Sequence, residues 1–155
     1  MAVHRAPVRL PEFCTECIAP FRAHAPQITI EADDEAAQID PVLMRQAVRN
    51  LLDNAFRHAP GTPVLLRAAT IDHHVTLCVS DAGRGLPEHL RGRLSCAETG
   101  AGGLGLSIVA AIADAHGGYV EAGVESDGGT RITIVVPNEA NDVECQRVLA
   151  SPADG

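Results

Sequence analysis

Residues 40–58 constrain this chain more than any other stretch. Asp40-Pro41 supplies an N-cap residue with proline at the first helical position, and Pro60-Gly61 ends the helix. Between them Val42, Leu43, Ala47, Val48, Leu51, Leu52 and Ala55 form a wide apolar stripe at helical spacing. Such a helix needs a second layer on which to bury its stripe. Asn50 and Asn54 stand four residues apart on it, so they share a face, beside the basic pair Arg57-His58. Paired amides suit a site for a hydrated divalent cation and phosphates, because Mg²⁺ takes oxygen ligands and keeps several waters.

Strand-like segments supply the second layer. Gln27 to Glu31 alternates with Ile28 and Ile30 on one side, and Pro63 to Ala69 and Val75 to Ser80 read as neighbours joined by a turn over Thr70 to His74. Tyr119 to Val124 and Arg131 to Val136 complete the set, with a turn at Ser126-Asp127-Gly128-Gly129. A first helix is expected over Glu12 to Ala25, ended by Pro26, and a last one over Leu104 to His116, apolar on most faces. Ala32 to Gln38 reads as an acidic loop, Pro87 to Leu90 as one helical turn, and 91–103 as an aperiodic, mobile loop. The outcome is an α+β, two-layer sandwich: a mixed, mostly antiparallel sheet with three helices on one face. Residues 1–137 are expected to form one domain and 138–155 a polar C-terminal tail.

A chain of 155 residues can bury a core as one domain, and with aromatics at 3% that core must be aliphatic. A net charge of −8 argues against nucleic acid as the main partner, since phosphate backbones need basic patches. No apolar run long enough to span a membrane is present, and the first residues lack a secretory apolar core, so a cytoplasmic protein, monomeric alone, is expected. Five cysteines are scattered, and the single Cys14-x-x-Cys17 falls within the first helix without two further ligands nearby, so reduced structural thiols are expected.

Two glycine-rich turns come after the asparagine helix. Asp81-Ala82-Gly83-Arg84-Gly85 closes a strand, and Gly100-Ala101-Gly102-Gly103-Leu104-Gly105-Leu106 opens a helix. With Gly117-Gly118 and Gly128-Gly129-Thr130 behind them, this order resembles the catalytic, ATP-binding domain of bacterial sensor histidine kinases over roughly Pro41 to Pro137. That family belongs with the type II topoisomerase, heat-shock and mismatch-repair ATPases. The resemblance implies the Bergerat sandwich, with a nucleotide pocket between the helices and a short mobile lid.

The resemblance also implies roles. Asp81 matches the residue that accepts from the exocyclic amine of adenine, with Gly83 and Gly85 letting the ring approach. Asn54 matches the Mg²⁺ ligand that bridges to phosphate oxygens, and Asn50 its helper one turn away. Arg57 replaces the usual Lys that meets phosphate, a planar fork for a compact charge. His58 stands where relatives carry Tyr or His near the nucleoside. Gly102, Gly103, Leu104, Gly105 and Leu106 match the phosphate loop, whose helix aims its first amides at anionic oxygens; Ala101 departs mildly from Gly. Thr130 matches a Thr near the adenine. Where related ATPases carry a Glu that activates water, this chain has Asn50, which cannot take a proton, so phosphoryl transfer to a protein is implied rather than hydrolysis.

Two features depart from the family. None of the seven histidines sits in the context of a phospho-acceptor hairpin, and 86–101 holds no aromatic residue where relatives have a Phe-rich lid. Leu94 is a candidate to replace that packing, and Arg91 and Arg93 are candidates to reach the phosphates. The expected function is transfer of the γ-phosphate of Mg-ATP to a His on a separate dimerisation polypeptide, upstream of a response regulator. The alternatives are a protein-serine kinase of the anti-sigma-factor type and a degenerate, non-catalytic nucleotide-binding module.

Overall fold

A computed structural model describes residues 1–94 and 106–139. Strand β1 (Ala6–Arg9) leads into helix α1 (Leu10–Ile18), which continues as 3-10 turns over Ala19–Gln27. Strands β2 (Ile28–Ala32) and β3 (Ala36–Ile39) precede helix α2 (Pro41–His58). The hairpin β4 (Val64–Ile71) and β5 (His74–Asp81) is next, then a 3-10 turn at Glu88–Leu90 and strand β6 (Gly92–Leu94). Helix α3 (Leu106–Ala115) and the hairpin β7 (Tyr119–Val124), β8 (Thr130–Pro137) complete the described chain.

Six strands form one sheet in the order β2-β4-β5-β8-β7-β6, antiparallel except where β2 runs parallel to β4. Its register writes the core in rows. Leu66, Val79, Ile132 and Ala122 stand side by side across four strands, and Ala68, Leu77, Ile134, Val120 and Leu94 form the next row, all buried. Alternation places every second residue of each strand on that face. Three helices cover it: α1 packs on β2 and β4, α2 on β5, and α3 on β7 and β8. The opposite face carries the pairs Glu31–Arg67 and Glu125–Arg131 and the stacking of Arg93 on Tyr119.

The structure refines several sequence expectations. Helix α1 is shorter because Pro20 lacks the amide an α-helix would use there, and Phe21 leaves helical geometry at φ −104°, ψ 39°. Its Phe13, Cys14 and Cys17 are buried to 1% exposure or less. Val42, expected in the core stripe, is 64% exposed, and Met44 takes the buried position. β1 and β3 pair with each other where no strand and a loop were expected. The hairpin turn rests on Asp72 and His73, both at positive φ, which matches the twist of the flanking strands. Part of the expected lid loop is instead the edge strand β6; alternation points Leu94 inward and Arg93 to the far face of the sheet, away from the helices. Residues 95–103 of that loop, 104–105 of the expected last helix and 140–155 of the tail lie outside the described residues.

A saturated polar cluster fixes the start of α2. Asp40 Oδ1 accepts from the amides of Val42 and Leu43, and Oδ2 from that of His4. Burial works against the ionised Asp40 carboxyl, but the amides of His4, Leu43 and Val42 with nearby His116 outweigh it and hold it below the usual value. Buried His116 accepts from the Asp40 amide through Nε2 at 3.1 Å, and its Nδ1–H donates to the Ile112 carbonyl at 2.8 Å. Burial in turn lowers the His116 pKa, with Arg5 adding to that effect against the opposing pulls of the Ile112 carbonyl and Asp40. Arg5 joins the ends of three elements, donating to the carbonyls of Gln38, Pro137 and His116.

Candidate functional site

Leu51, Asn54, Ala55 and His58 succeed one another on α2 at i, i+3, i+4 and i+7, and all four line a cavity of about 280 Å³ between helix and sheet. Below them the register partners Val79 and Ile132 make an apolar floor. Asp81 and Thr130 occupy the next inward positions on the same two strands. The turn Gly83-Arg84-Gly85 and the segment Leu86, Pro87 and Leu90 close the remaining wall. The size is near the lower end of small-molecule sites, and the lining, mostly apolar with few polar groups, is of their kind.

Two oxygens in this cavity lack partners among the described residues. Asn54 is only 5% exposed, yet its Oδ1 accepts no hydrogen bond there. An unmet buried carbonyl costs about 1–3 kcal/mol, so a native protein that keeps one has a use for it. Asp81 spends Oδ1 on the amide of Gly83 at 2.9 Å, with the amide of Thr130 at 3.5 Å, an Asx turn that locks the carboxylate in place. Its Oδ2 has no such partner and remains an acceptor. The backbone around it admits no side chain at two points. A Cβ at Gly129 would stand 2.0 Å from the Asp81 carbonyl oxygen, and one at Gly85, whose φ is +79°, would stand 2.7 Å from that of Gly128. The two glycine turns therefore interlock beside the carboxylate.

Of the residues singled out by sequence, the cavity brings together Asn54, His58, Asp81, Gly83, Gly85 and Thr130. Asn50 is half-buried one turn away on the same face and does not line it. Arg57 is exposed and paired with Asp53 at 3.2 Å. Leu106 is 1% exposed in the core, and Gly102, Gly103, Leu104 and Gly105 lie outside the described residues. Neither arginine of the expected lid faces the cavity: Arg91 donates to the Leu86 carbonyl, and the Arg93 guanidinium lies 3.8 Å over the Tyr119 ring. Sequence reasoning missed the apolar walls, Leu51 and Ala55 among them, having counted these as core. It also passed over Arg84, the residue between the two glycines of that turn.

The donor set fits Mg-ATP. A buried amide oxygen, with a second amide one turn away, offers a hard cation the neutral oxygens it takes alongside phosphates and water. The fixed carboxylate above an apolar slot offers an amino-bearing ring one acceptor and flat surfaces. Among the described residues no group of three or more His, Cys, Asp or Glu side chains stands together as an all-protein metal cage.

Known proteins share the family and the fold. The family described as histidine kinase-, DNA gyrase B- and HSP90-like ATPases matches residues 39–140. Sensor histidine kinase component HK1 of Mycobacterium tuberculosis is 35% identical over 147 residues, which cover 88% of this chain and 87% of that protein. Sensor histidine kinase CusS of Escherichia coli is 41% identical over 110 residues, covering 63% of this chain but only 22% of its own length. Among solved structures, the ATP-binding domain of PrrB from Mycobacterium tuberculosis superposes with a TM-score of 0.70 at 26% identity, covering 88% of this chain and 98% of that one. The catalytic domain of histidine kinase ThkA shares the fold with a TM-score of 0.76 at 22% identity, over 87% and 96% of the two chains. This chain belongs to the histidine kinase-, DNA gyrase B- and HSP90-like ATPase family, as an ATPase domain of the two-component sensor kinase type.

Proposed function

We propose that the chain binds Mg-ATP in the cavity between α2 and the sheet and phosphorylates a histidine on a separate dimerisation and phosphotransfer polypeptide. The observation that carries this reading is the unpartnered Asn54 Oδ1 sharing one cavity with the open Oδ2 of Asp81. Asp81 would accept from the exocyclic amine of adenine while Val79 and Ile132 pack on the ring. Asn54, assisted by Asn50, would hold Mg²⁺, which supplies charge neutralisation on the phosphates. Arg57, three residues beyond Asn54 on α2, would reach back to add a cation once released from Asp53. The loop residues Gly102, Gly103, Leu104 and Gly105 would enclose the phosphates.

In the reaction, a neutral imidazole nitrogen of the partner attacks the γ-phosphorus. The bond to the β–γ bridging oxygen breaks, ADP leaves with that electron pair, and the imidazole loses its N–H proton to solvent. Asn50 cannot act as a base toward water, which favours a protein acceptor over hydrolysis. Positioning and charge stabilisation carry such a transfer. The similarity to a protein named a sensor histidine kinase component supports an acceptor supplied by another polypeptide. ThkA has been solved in complex with a response regulator, and a regulator is the expected final acceptor here.

Calorimetric titration with Mg-ATP tests the reading. Saturable binding is expected, lost in Asn54→Ala and on chelation of the metal, and weakened in Asp81→Asn. Ligand at 100 times its Kd should add about 2.7 kcal/mol, a rise in Tm of about 5–10 °C. Undiminished Mg-ATP binding by Asn54→Ala would refute the assignment. Binding without transfer to any histidine-bearing helical hairpin would leave a nucleotide-binding module.

A further inference from the structure

The geometry points to Arg84 as a determinant of nucleotide affinity that acts on the base, its guanidinium lying over the open face of the purine. This rests on the reading of the cavity as an adenine-nucleotide site. Arg84 lines the cavity, is exposed, and makes no hydrogen bond or ion pair among the described residues. Every other arginine of the sheet and its loops is occupied: Arg67 by Glu31, Arg131 by Glu125, Arg91 by the Leu86 carbonyl, and Arg93 by the Tyr119 ring. Arg84 is therefore the guanidinium that the fold leaves available at this mouth.

Its place along α2 decides which part of the nucleotide it meets. The preceding Gly83 is pressed against the end of that helix, where an added Cβ would stand 2.9 Å from the Ala59 Cβ and 3.6 Å from the His58 carbonyl oxygen. Ala59 lies five residues beyond Asn54 and nine beyond Asn50, about 7 Å and about 13 Å along the axis. Arg84 thus stands with Asp81 and His58 at the base end, while the amides that suit metal and phosphate lie up the helix. A ring whose amine meets Asp81 has one face against the apolar floor of Val79 and Ile132 and the other toward the mouth. A planar, weakly hydrated guanidinium is suited to cover that second face by stacking and by cation–π attraction.

The test is titration of wild type, Arg84→Ala, Arg84→Lys and Asp81→Asn with Mg-ATP by calorimetry and with adenosine by NMR. Arg84→Ala is expected to weaken both ligands by the same factor, about 3–10-fold, with Arg84→Lys in between. The ligand-free Tm should not move, because the side chain has no partner among the described residues. Loss of ATP affinity with unchanged adenosine affinity would show a phosphate contact and overturn the proposal. So would an Arg84→Ala indifferent to both ligands while Asp81→Asn weakens them, which leaves the site standing. A wild type that binds neither ligand would overturn the nucleotide reading itself, and this inference with it.

Discussion

Helix α2 carries a buried polar cluster at each end, and the two are finished differently. At its N-terminal end both Asp40 carboxylate oxygens and both ring nitrogens of His116 have partners, and Arg5 meets three carbonyls. Toward its C-terminal end Asn54 Oδ1 and Asp81 Oδ2 have none among the described residues. Asp40 and His116 in the first and Asn54 in the second bear the cost of burying polar atoms. Only the first recovers it within the described chain. A saturated cluster is architecture, whereas an unsaturated one is completed by something that arrives.

That contrast is most directly broken at His116. His116→Ala removes a buried ring and strands the Asp40 amide, while the Ile112 carbonyl keeps the backbone amide of residue 116, so urea unfolding should show a loss of about 3 kcal/mol. A loss below about 1 kcal/mol would mean the cluster does not depend on its histidine. Proton binding makes a gentler version of the same break. His116 has a lowered pKa in the folded protein, so below the unfolded value of 6.5 the unfolded chain takes up the proton first. Stability should hold above about pH 7 and decline as pH falls through this range, and His116→Gln should flatten the slope. Asp40, also lowered, acts in a separate window, its contribution lost only as pH falls below 3.8. The smallest stability change is expected where the effect on binding is largest. Asn54→Ala should unfold within about 0.5 kcal/mol of wild type, since it removes an unpaired carbonyl rather than a bond. A loss above about 2 kcal/mol would move Asn54 into the architectural class.

The same distinction separates what could be read from the sequence from what could not. Periodicity revealed α2, the β4–β5 and β7–β8 hairpins and α3, because each buries one face and the pattern records it. It missed β1 and β3, which are four residues each and hold each other, with Arg5 and Asp40 beside them, through contacts distant in sequence. It overran α1 because its apolar spacing continues through Pro20 into turns that are no longer α-helical. Within the site, Asn54, Asp81 and the glycines carry motif signals of their own. Leu51 and Ala55 do not, since a cavity wall and a core position look alike along a helix. The roles of His116 and Arg5 were invisible for the opposite reason: their partners are mainly backbone atoms, which leave no mark on the sequence.

The two thiols under α1 have a practical consequence. Burial pushes Cys14 up to about 11, and burial together with its neighbour Cys14 pushes Cys17 up to about 12. Since the thiolate is the nucleophile, neither should react with an alkylating reagent at neutral pH while α1 stays docked. Each modification then reports one opening of that helix, and its rate gives the free energy of local release. Peptide mapping separates these two sites from Cys78 and from Cys96 and Cys145 elsewhere in the chain. The protein thus carries an internal clock with which release of α1 can be timed, with and without Mg-ATP, without any added label.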